Sequence, residues 1–323
     1  MVYVITHRGL EPAGSDGAWG ESTVEAFEAQ LRRGFGLEFD PNPCFDGWVV
    51  WHDGEMLRLT NGVDQRRLVD IPLREVAGRQ FGRGCVGTLD EVGLKYIISD
   101  LCTDLMDNTD RSVTTCLKKM KVLSLIAEHG SAAAPSAMHL KGERQSAVLI
   151  DLLVEVLRRH PVAIPKLFIF DVTQTSAVAL KAAMPELALA PSVSHAYDVQ
   201  RYNACVHRTL WTLEAALQGA RDGLFAWAWV DEWDLAADDA GARKDPPFAS
   251  TCTFAALRDA GLRVGLVTPE LHSSSPSLLG GESHDDASSK ERLFARIRTI
   301  AQCGFVDAIC TDWPTEVQAM LPE

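Results

Sequence analysis

Residues Gly36 to Asp53, GLEFDPNPCFDGWVVWHD, hold the densest group of reactive side chains in the chain. One short apolar-rich run ends in Glu38 and Asp40, and a second ends in His52 and Asp53. Side chains of a strand alternate between faces, so Glu38 and Asp40 point one way while Leu37 and Phe39 point the other. Two like charges held that close repel and shift one another's pKa unless a cation sits between them. A hard divalent ion with oxygen ligands is the usual remedy. A lone Glu-x-Asp is more often the solvated side of a half-buried strand, so the weight falls on its company. Phe45-Asp46-Gly47 is a turn signal, and Trp48 to Trp51 read as a second strand running into His52. The intervening Pro41 to Gly47 segment is too short for the crossover that a parallel neighbour requires. The second run is therefore expected as a hairpin-like excursion that folds His52 back over the carboxylates. Upstream, Val2 to Thr6 form another apolar strand that ends in His7-Arg8-Gly9, adding a second imidazole and a fixed cation.

The elements that must position these groups alternate along the chain. Helical spacing of Val24, Phe27 and Leu31 predicts a helix over 21–33, ended by Gly34, so the opening is strand, helix, strand. Further strands are expected at 137–141, 166–171, 187–190, 224–230, 264–267 and 307–310. Helices are expected at 143–160, 176–184, 210–220, 254–260 and 291–302. With the strands at 2–6 and from Gly36 this makes eight strands separated by helices, the pattern of an α/β (β/α)8 TIM barrel. Such a barrel would carry a hairpin-like excursion after strand 2 and a helical insertion near 94–133. The expected organisation is a single domain over 1–323. In that fold functional groups sit at the C-terminal ends of strands, and His7, Glu38, Asp40, His139, Lys141, Asp171, His195, Asp231, Glu270 and Asp312 all fall there by this count. Thr88-Leu89-Asp90-Glu91 has the form of a capping box, Lys118, Lys119 and Lys121 read as a solvated helix face, and 273–289 reads as a long polar loop.

His7-Arg8-Gly9, Glu21-Ser22-Thr23, Ala26-Phe27, Glu38-x-Asp40, Asp46-Gly47, His52-Asp53 and Leu57-Arg58-x-Thr60-Asn61-Gly62 together resemble the signature of the glycerophosphodiester phosphodiesterase family. Order and spacing over this stretch carry the likeness; any one piece alone would be weak. Fainter pieces continue it: Leu140-Lys141, Gly261 to Val264, and the closing Val306 to Asp312 with Pro314. The resemblance implies metal-dependent hydrolysis of glycerophosphodiesters to an alcohol and glycerol 3-phosphate. It also implies attack by the substrate's own glycerol 2-hydroxyl and a cyclic phosphate that water then opens. On that reading His7 and His52 form the acid–base pair, Arg8 and Lys141 bind phosphate oxygens, and Glu38, Asp40 and His139 hold one divalent ion, Mg2+ or Ca2+ by resemblance.

The chemistry suits these residue types. A phosphodiester is already anionic, so attack at phosphorus needs that charge neutralised and two protons moved. A metal and fixed cations do the first, and imidazoles do the second.

The sequence departs from the family in two places. Where the family has Glu-x-Lys on the third strand, this chain has His139-Leu140-Lys141. A neutral imidazole brings no negative charge and favours borderline ions, so Mn2+ or Zn2+ also enters consideration. An aromatic expected near the end of the seventh strand is replaced by Val267, followed by Thr268-Pro269-Glu270, where Glu270 serves as an extra ligand or a loop cap. His195, Tyr197, Asp198, Trp227, Trp229, Asp231 and Trp233 either shape a pocket for a polyol head group or, for the tryptophans, pack the core.

Composition bounds the partners. The formal charge of −13 argues against nucleic acid or an anionic membrane, which are held by clustered Lys and Arg, and leaves a small-molecule phosphodiester as the expected partner. Eight cysteines without a CxxC pair read as reduced thiols. A strand almost at once after Met1, and no long apolar run, give a cytoplasmic expectation. Two other functions fit the same residues: a barrel that binds a phosphorylated polyol with catalysis lost, and a phospholipid phosphodiesterase of the sphingomyelinase D-like type.

Overall fold

The computed structural model describes residues 2–11, 20–89, 121–194, 199–200, 203–204, 209–230, 251–268 and 289–321. In chain order its first elements are β1 (Tyr3–His7), α1 (Val24–Arg32), β2 (Gly36–Phe39), β3 (Pro41–Cys44), β4 (Gly47–Val50), α2 (Leu73–Val76), β5 (Gln80–Phe81), β6 (Gly84–Cys85) and β7 (Gly87–Thr88). Next come α3 (Val122–His129), β8 (Ser136–His139), α4 (Ala147–Arg158), β9 (Leu167–Phe170), α5 (Gln174–Ala183), β10 (Ala188–Ala190), β11 (Ser192–Val193), β12 (Leu210–Trp211) and α6 (Leu213–Arg221). The chain closes with β13 (Trp227–Val230), α7 (Thr251–Asp259), β14 (Arg263–Val267), α8 (Lys290–Gln302), β15 (Ala308–Thr311) and α9 (Pro314–Met320). It divides into two compact units: residues 1–7, 140–145 and 168–323, and residues 8–139 and 146–167.

The first unit is built on parallel pairing. β1 lies beside β15, β15 beside β14 and β14 beside β13, each in parallel register. β13 then faces one edge made of β11 and β10: Ser192 pairs with Trp229, and the Ala226 N–H donates to the Leu189 carbonyl. Pro191 has no N–H to give to a ladder, which is why this edge is cut into two short strands where one was expected. β9 completes the run beside β10. The core of this unit is aromatic. Trp227 stacks on Phe168 with ring centroids 4.6 Å apart, and Trp229 stacks on Phe170 at 4.3 Å. Residues two apart on neighbouring strands share a face, so these four rings fill one side of the sheet. Both tryptophans are buried, which decides their role as core packing. The expected helix over 210–220 begins later. Leu210 and Trp211 pair in parallel with β11, and Thr212 caps a helix that starts at Leu213 by accepting from the Ala215 N–H at 3.2 Å.

The second unit holds the parallel pair β2 and β8, with α1 packed on α3. Helix α1 starts three residues later than its periodicity suggests. Thr23 is its cap, accepting from the Ala26 N–H, a contact worth about 1 kcal/mol. Glu21 is thereby left outside the helix, ahead of a left-handed Ser22 (φ 57°). β3 and β4 form an antiparallel hairpin closed at Cys44 and Gly47, and β4 pairs on its far side with β7. Beneath the hairpin Val49, Trp51, Met56, Leu68, Ile71 and Val86 form a small buried core of their own. Thr88 belongs to β7 and caps no described helix; Asp90 and Glu91 lie outside the described residues. Most of the expected insertion, residues 94–120 with Lys118 and Lys119, also lies outside them. Lys121 is buried, contrary to the solvated face expected for it.

Candidate active site

The two carboxylates sit where alternation puts them. Glu38 is on β2 and Asp40 directly after it, and both are buried, Asp40 completely. β8 runs parallel to β2 with Glu38 opposite Ala137 and Phe39 opposite Met138, so His139 ends its strand level with Asp40. Its Nδ1 stands 3.0 Å from Asp40 Oδ1 and 3.8 Å from Glu38 Oε1. One ligand atom from each of these three side chains lies within 4.8 Å of the others, a spacing at which they could hold a metal ion.

Arg8 approaches the same carboxylates from β2's other flank. Its N–H donates to the Glu38 carbonyl at 3.0 Å, and its backbone is left-handed (φ 53°), as is that of Gly9 (φ 73°). At Gly9 a side chain would be strained by that φ, and a Cβ would also meet the Phe27 ring at 3.0 Å. The two left-handed residues swing the guanidinium inward. Arg8 Nε lies 3.7 Å from Asp40 Oδ2 and Nη1 lies 3.5 Å from Glu21 Oε2. At those distances the contacts are electrostatic more than hydrogen-bonded.

His52 lies beyond β4, held by Asn42, whose side-chain amide donates to the carbonyls of Trp51 at 2.6 Å and Asp53 at 2.8 Å. Its Nδ1 is 2.7 Å from Asp53 Oδ1. A carboxylate only accepts, so Nδ1 carries the proton and Nε2 of the neutral ring keeps its lone pair. Asp53 also accepts from Arg58 Nε at 2.6 Å, and Arg58 pairs through Nη1 with Glu21 Oε1 at 2.5 Å. The Arg58 guanidinium lies 4.5 Å over the Trp51 ring. Burial alone would push the Asp53 carboxyl up, but hydrogen bonds from His52 and Arg58 and their charges outweigh it. Its pKa ends well below the usual carboxylate range. Charges thus alternate from Asp53 through Arg58, Glu21 and Arg8 to Asp40, with His52 and His139 at the two ends.

The first unit supplies a second imidazole–carboxylate pair. His7 ends β1 and Asp312 follows β15; since Thr6 pairs with Thr311, the register brings the two side by side, with Nδ1 2.7 Å from Oδ1. The turn after Asp312 is pinned by Lys290, whose ammonium lies 3.9 Å over the Trp313 ring. Lys141, expected on the same strand face as His139, falls past the end of β8. It is buried and precedes a single 3-10 turn over Gly142–Arg144. Gln145 fastens that turn by donating to the carbonyls of Leu140 and Asp171, each at 2.7 Å.

The structure therefore gathers Glu38, Asp40, His139 and Arg8 in one unit, with His52 joined to them through Glu21. It puts His7 and Lys141 in the other unit. Glu21, Asp53, Arg58 and Asp312 emerge as partners that the sequence named only as parts of motifs or strand ends. The signal for Asp53 was its adjacency to His52. Glu21 could have been found from Thr23 as a helix cap, which leaves Glu21 off the helix. His195, Tyr197, Asp198, Asp231, Trp233 and Glu270, and all of 273–289 except Ser289, lie outside the described residues.

No family model matches the chain, and no curated protein matches it. Solved structures do. A phosphodiesterase of Oleispira antarctica in complex with its product sn-glycerol-3-phosphate is 18% identical with a TM-score of 0.57, over 98% of this chain and 96% of that one. The chain has the fold of these enzymes. A glycerophosphoryl diester phosphodiesterase of Parabacteroides distasonis is 15% identical with a TM-score of 0.56, over 100% of this chain and 88% of its own. A glycerophosphodiester phosphodiesterase of Agrobacterium tumefaciens is 17% identical with a TM-score of 0.52, over 99% of each chain. Among the described residues no helix is long and apolar enough to cross a membrane.

Proposed function

We propose that this chain is a metal-dependent glycerophosphodiester phosphodiesterase on a single (β/α)8 barrel. In that barrel the β3–β4 hairpin is the excursion after the second strand, and residues near 94–133 are an insertion. The observation that carries the proposal is the cluster of Glu38, Asp40 and His139 beside Arg8, in a chain that shares its fold with phosphodiesterases. Two buried carboxylates with an imidazole fit a divalent ion by donor type and spacing. When bound, such an ion supplies positive charge that polarises a phosphoryl oxygen and acidifies a substrate hydroxyl.

The chain's own residues do the rest. Arg8 and Lys141 pair with the remaining phosphate oxygens. His52, its Nδ1 proton given to Asp53, presents Nε2 as the base for the glycerol 2-hydroxyl. His7, entering the reaction protonated on both nitrogens with its Nδ1–H held by Asp312, delivers the Nε2 proton to the leaving alcohol. Asp53 fixes the His52 tautomer and favours the imidazolium that forms there as it takes the hydroxyl proton, and Asp312 orients the His7 ring. The substrate is a small glycerophosphodiester. The product bound in the Oleispira antarctica phosphodiesterase, sn-glycerol-3-phosphate, supports glycerol phosphate as a product here.

The test is release of glycerol phosphate from glycerophosphodiesters by the purified chain, with and without a chelator, beside His52→Ala. Turnover that stops on chelation and in the folded variant supports the reading; chelator-resistant turnover counts against it. Binding of glycerol phosphate without turnover under any of several divalent ions would favour a binding protein with catalysis lost.

A further inference from the structure

We propose that the Glu38–Asp40–His139 site selects a borderline divalent ion, of the Mn2+ to Zn2+ series, over Ca2+. This rests on the reading that these three side chains hold an ion, and names which kind.

Two observations carry it. The first is donor type. His139 turns Nδ1 toward the carboxylates, at 3.0 Å from Asp40 Oδ1 and 3.8 Å from Glu38 Oε1. An imidazole nitrogen suits Mn2+, Co2+ and Zn2+, whereas Ca2+ and Mg2+ take oxygen. The second is charge. The three side chains bring two negative charges, and Arg8 Nε, 3.7 Å from Asp40 Oδ2, offsets part of that. Affinity for Ca2+ rises with ligand charge, so this donor set is poor for it.

The metal-depleted full chain would be titrated calorimetrically with Mn2+ and with Ca2+, and bound Mn2+ would be examined by pulsed EPR for coupling to nitrogen. The expected result is one Mn2+ held at least about tenfold more tightly than Ca2+, with a 14N coupling present. In His139→Glu the preference should fall at least about tenfold and the coupling disappear. His139→Gln, which keeps a neutral side chain, should lose the coupling as well, and circular dichroism reports whether each variant is folded. Equal or tighter Ca2+ binding by the unaltered chain, no bound ion, or a preference and coupling that survive in folded His139→Glu would overturn the inference. The outcome is separable from the fate of the proposed reaction. Mn2+ preference without diester cleavage leaves the ion assignment standing and removes the enzyme; cleavage with Ca2+ bound tightest does the reverse.

Discussion

His52 Nδ1 lies 2.7 Å from Asp53 Oδ1, and Arg58 grips the other oxygen of that carboxylate at 2.6 Å. The carboxylate thus fixes which imidazole nitrogen faces outward, and the guanidinium fixes the carboxylate. The amide of Asp53→Asn can accept from a protonated His52 Nδ1 or donate to an unprotonated one, so the tautomer is no longer dictated. We expect kcat to fall about 100-fold or more with KM little changed, the scale of lost acid–base catalysis. Steady-state kinetics on a glycerophosphodiester check this, and an unchanged kcat would remove Asp53 from the mechanism.

The same carboxylate predicts part of the acid limb of stability. Burial raises its pKa, hydrogen bonds and positive charges from His52 and Arg58 lower it further, and the net shift is downward. A folded pKa below the unfolded value of about 3.9 means that the contribution is present above about pH 4 and is lost as pH falls toward the folded value. The difference in melting temperature between the unaltered chain and Asp53→Asn should therefore shrink as pH falls below about 4. A difference that grows below about pH 4 would contradict the sign.

Legibility followed locality. Glu38 and Asp40 were readable because alternation within one strand puts residues two apart on one face, and His139 because it falls at a strand end where the resembling family carries a carboxylate. The Arg58–Glu21 ion pair was not readable: it joins a loop after β4 to a loop before α1, and no periodicity links those positions. Lys141 was placed one element too early, since apolar spacing did not show that β8 stops at His139. The split of one edge into β10 and β11 turns on Pro191 and its missing N–H. The two tryptophans of β13 were ambiguous because period two marks a shared face without saying whether that face meets core or ligand; stacking on Phe168 and Phe170 decides it.

Trp229 tests that decision. It is 2% exposed and stacked at 4.3 Å on Phe170. Trp229→Ala should cost about 3–5 kcal/mol of stability, measured by denaturant unfolding. Trp229→Phe should keep most of the stability and leave KM unchanged. A KM effect in a stable Trp229→Phe would return this ring to the pocket.

Cys44 offers a reporter on the second unit. Burial, aided by the Asp46 charge, pushes its thiol up to about 12, against a smaller opposite effect of a hydrogen bond with the Val49 backbone. The thiolate is the reactive form, so native Cys44 should resist alkylation at pH 8 and become labelled only as the hairpin core opens. Mass spectrometry across a denaturant series reads this directly. Modification at the rate of a free thiol under native conditions would mean that the β3–β4 hairpin does not bury this position.

On the proposed function, removing an ion from the Glu38–Asp40–His139 cluster should be felt in stability as well as in turnover. An ion that binds the folded chain alone stabilises it by about 2.7 kcal/mol at a free concentration 100 times Kd, so chelation should lower the melting temperature and re-addition restore it. Asp40→Asn separates this from a general salt effect. It keeps the volume of the side chain, removes one of two buried carboxylate charges, and leaves Arg8 and His139 facing a neutral amide. The variant should lose the ion-dependent rise in melting temperature altogether. A variant that still gains stability from the same ion would place the metal on other ligands and end the assignment of this cluster.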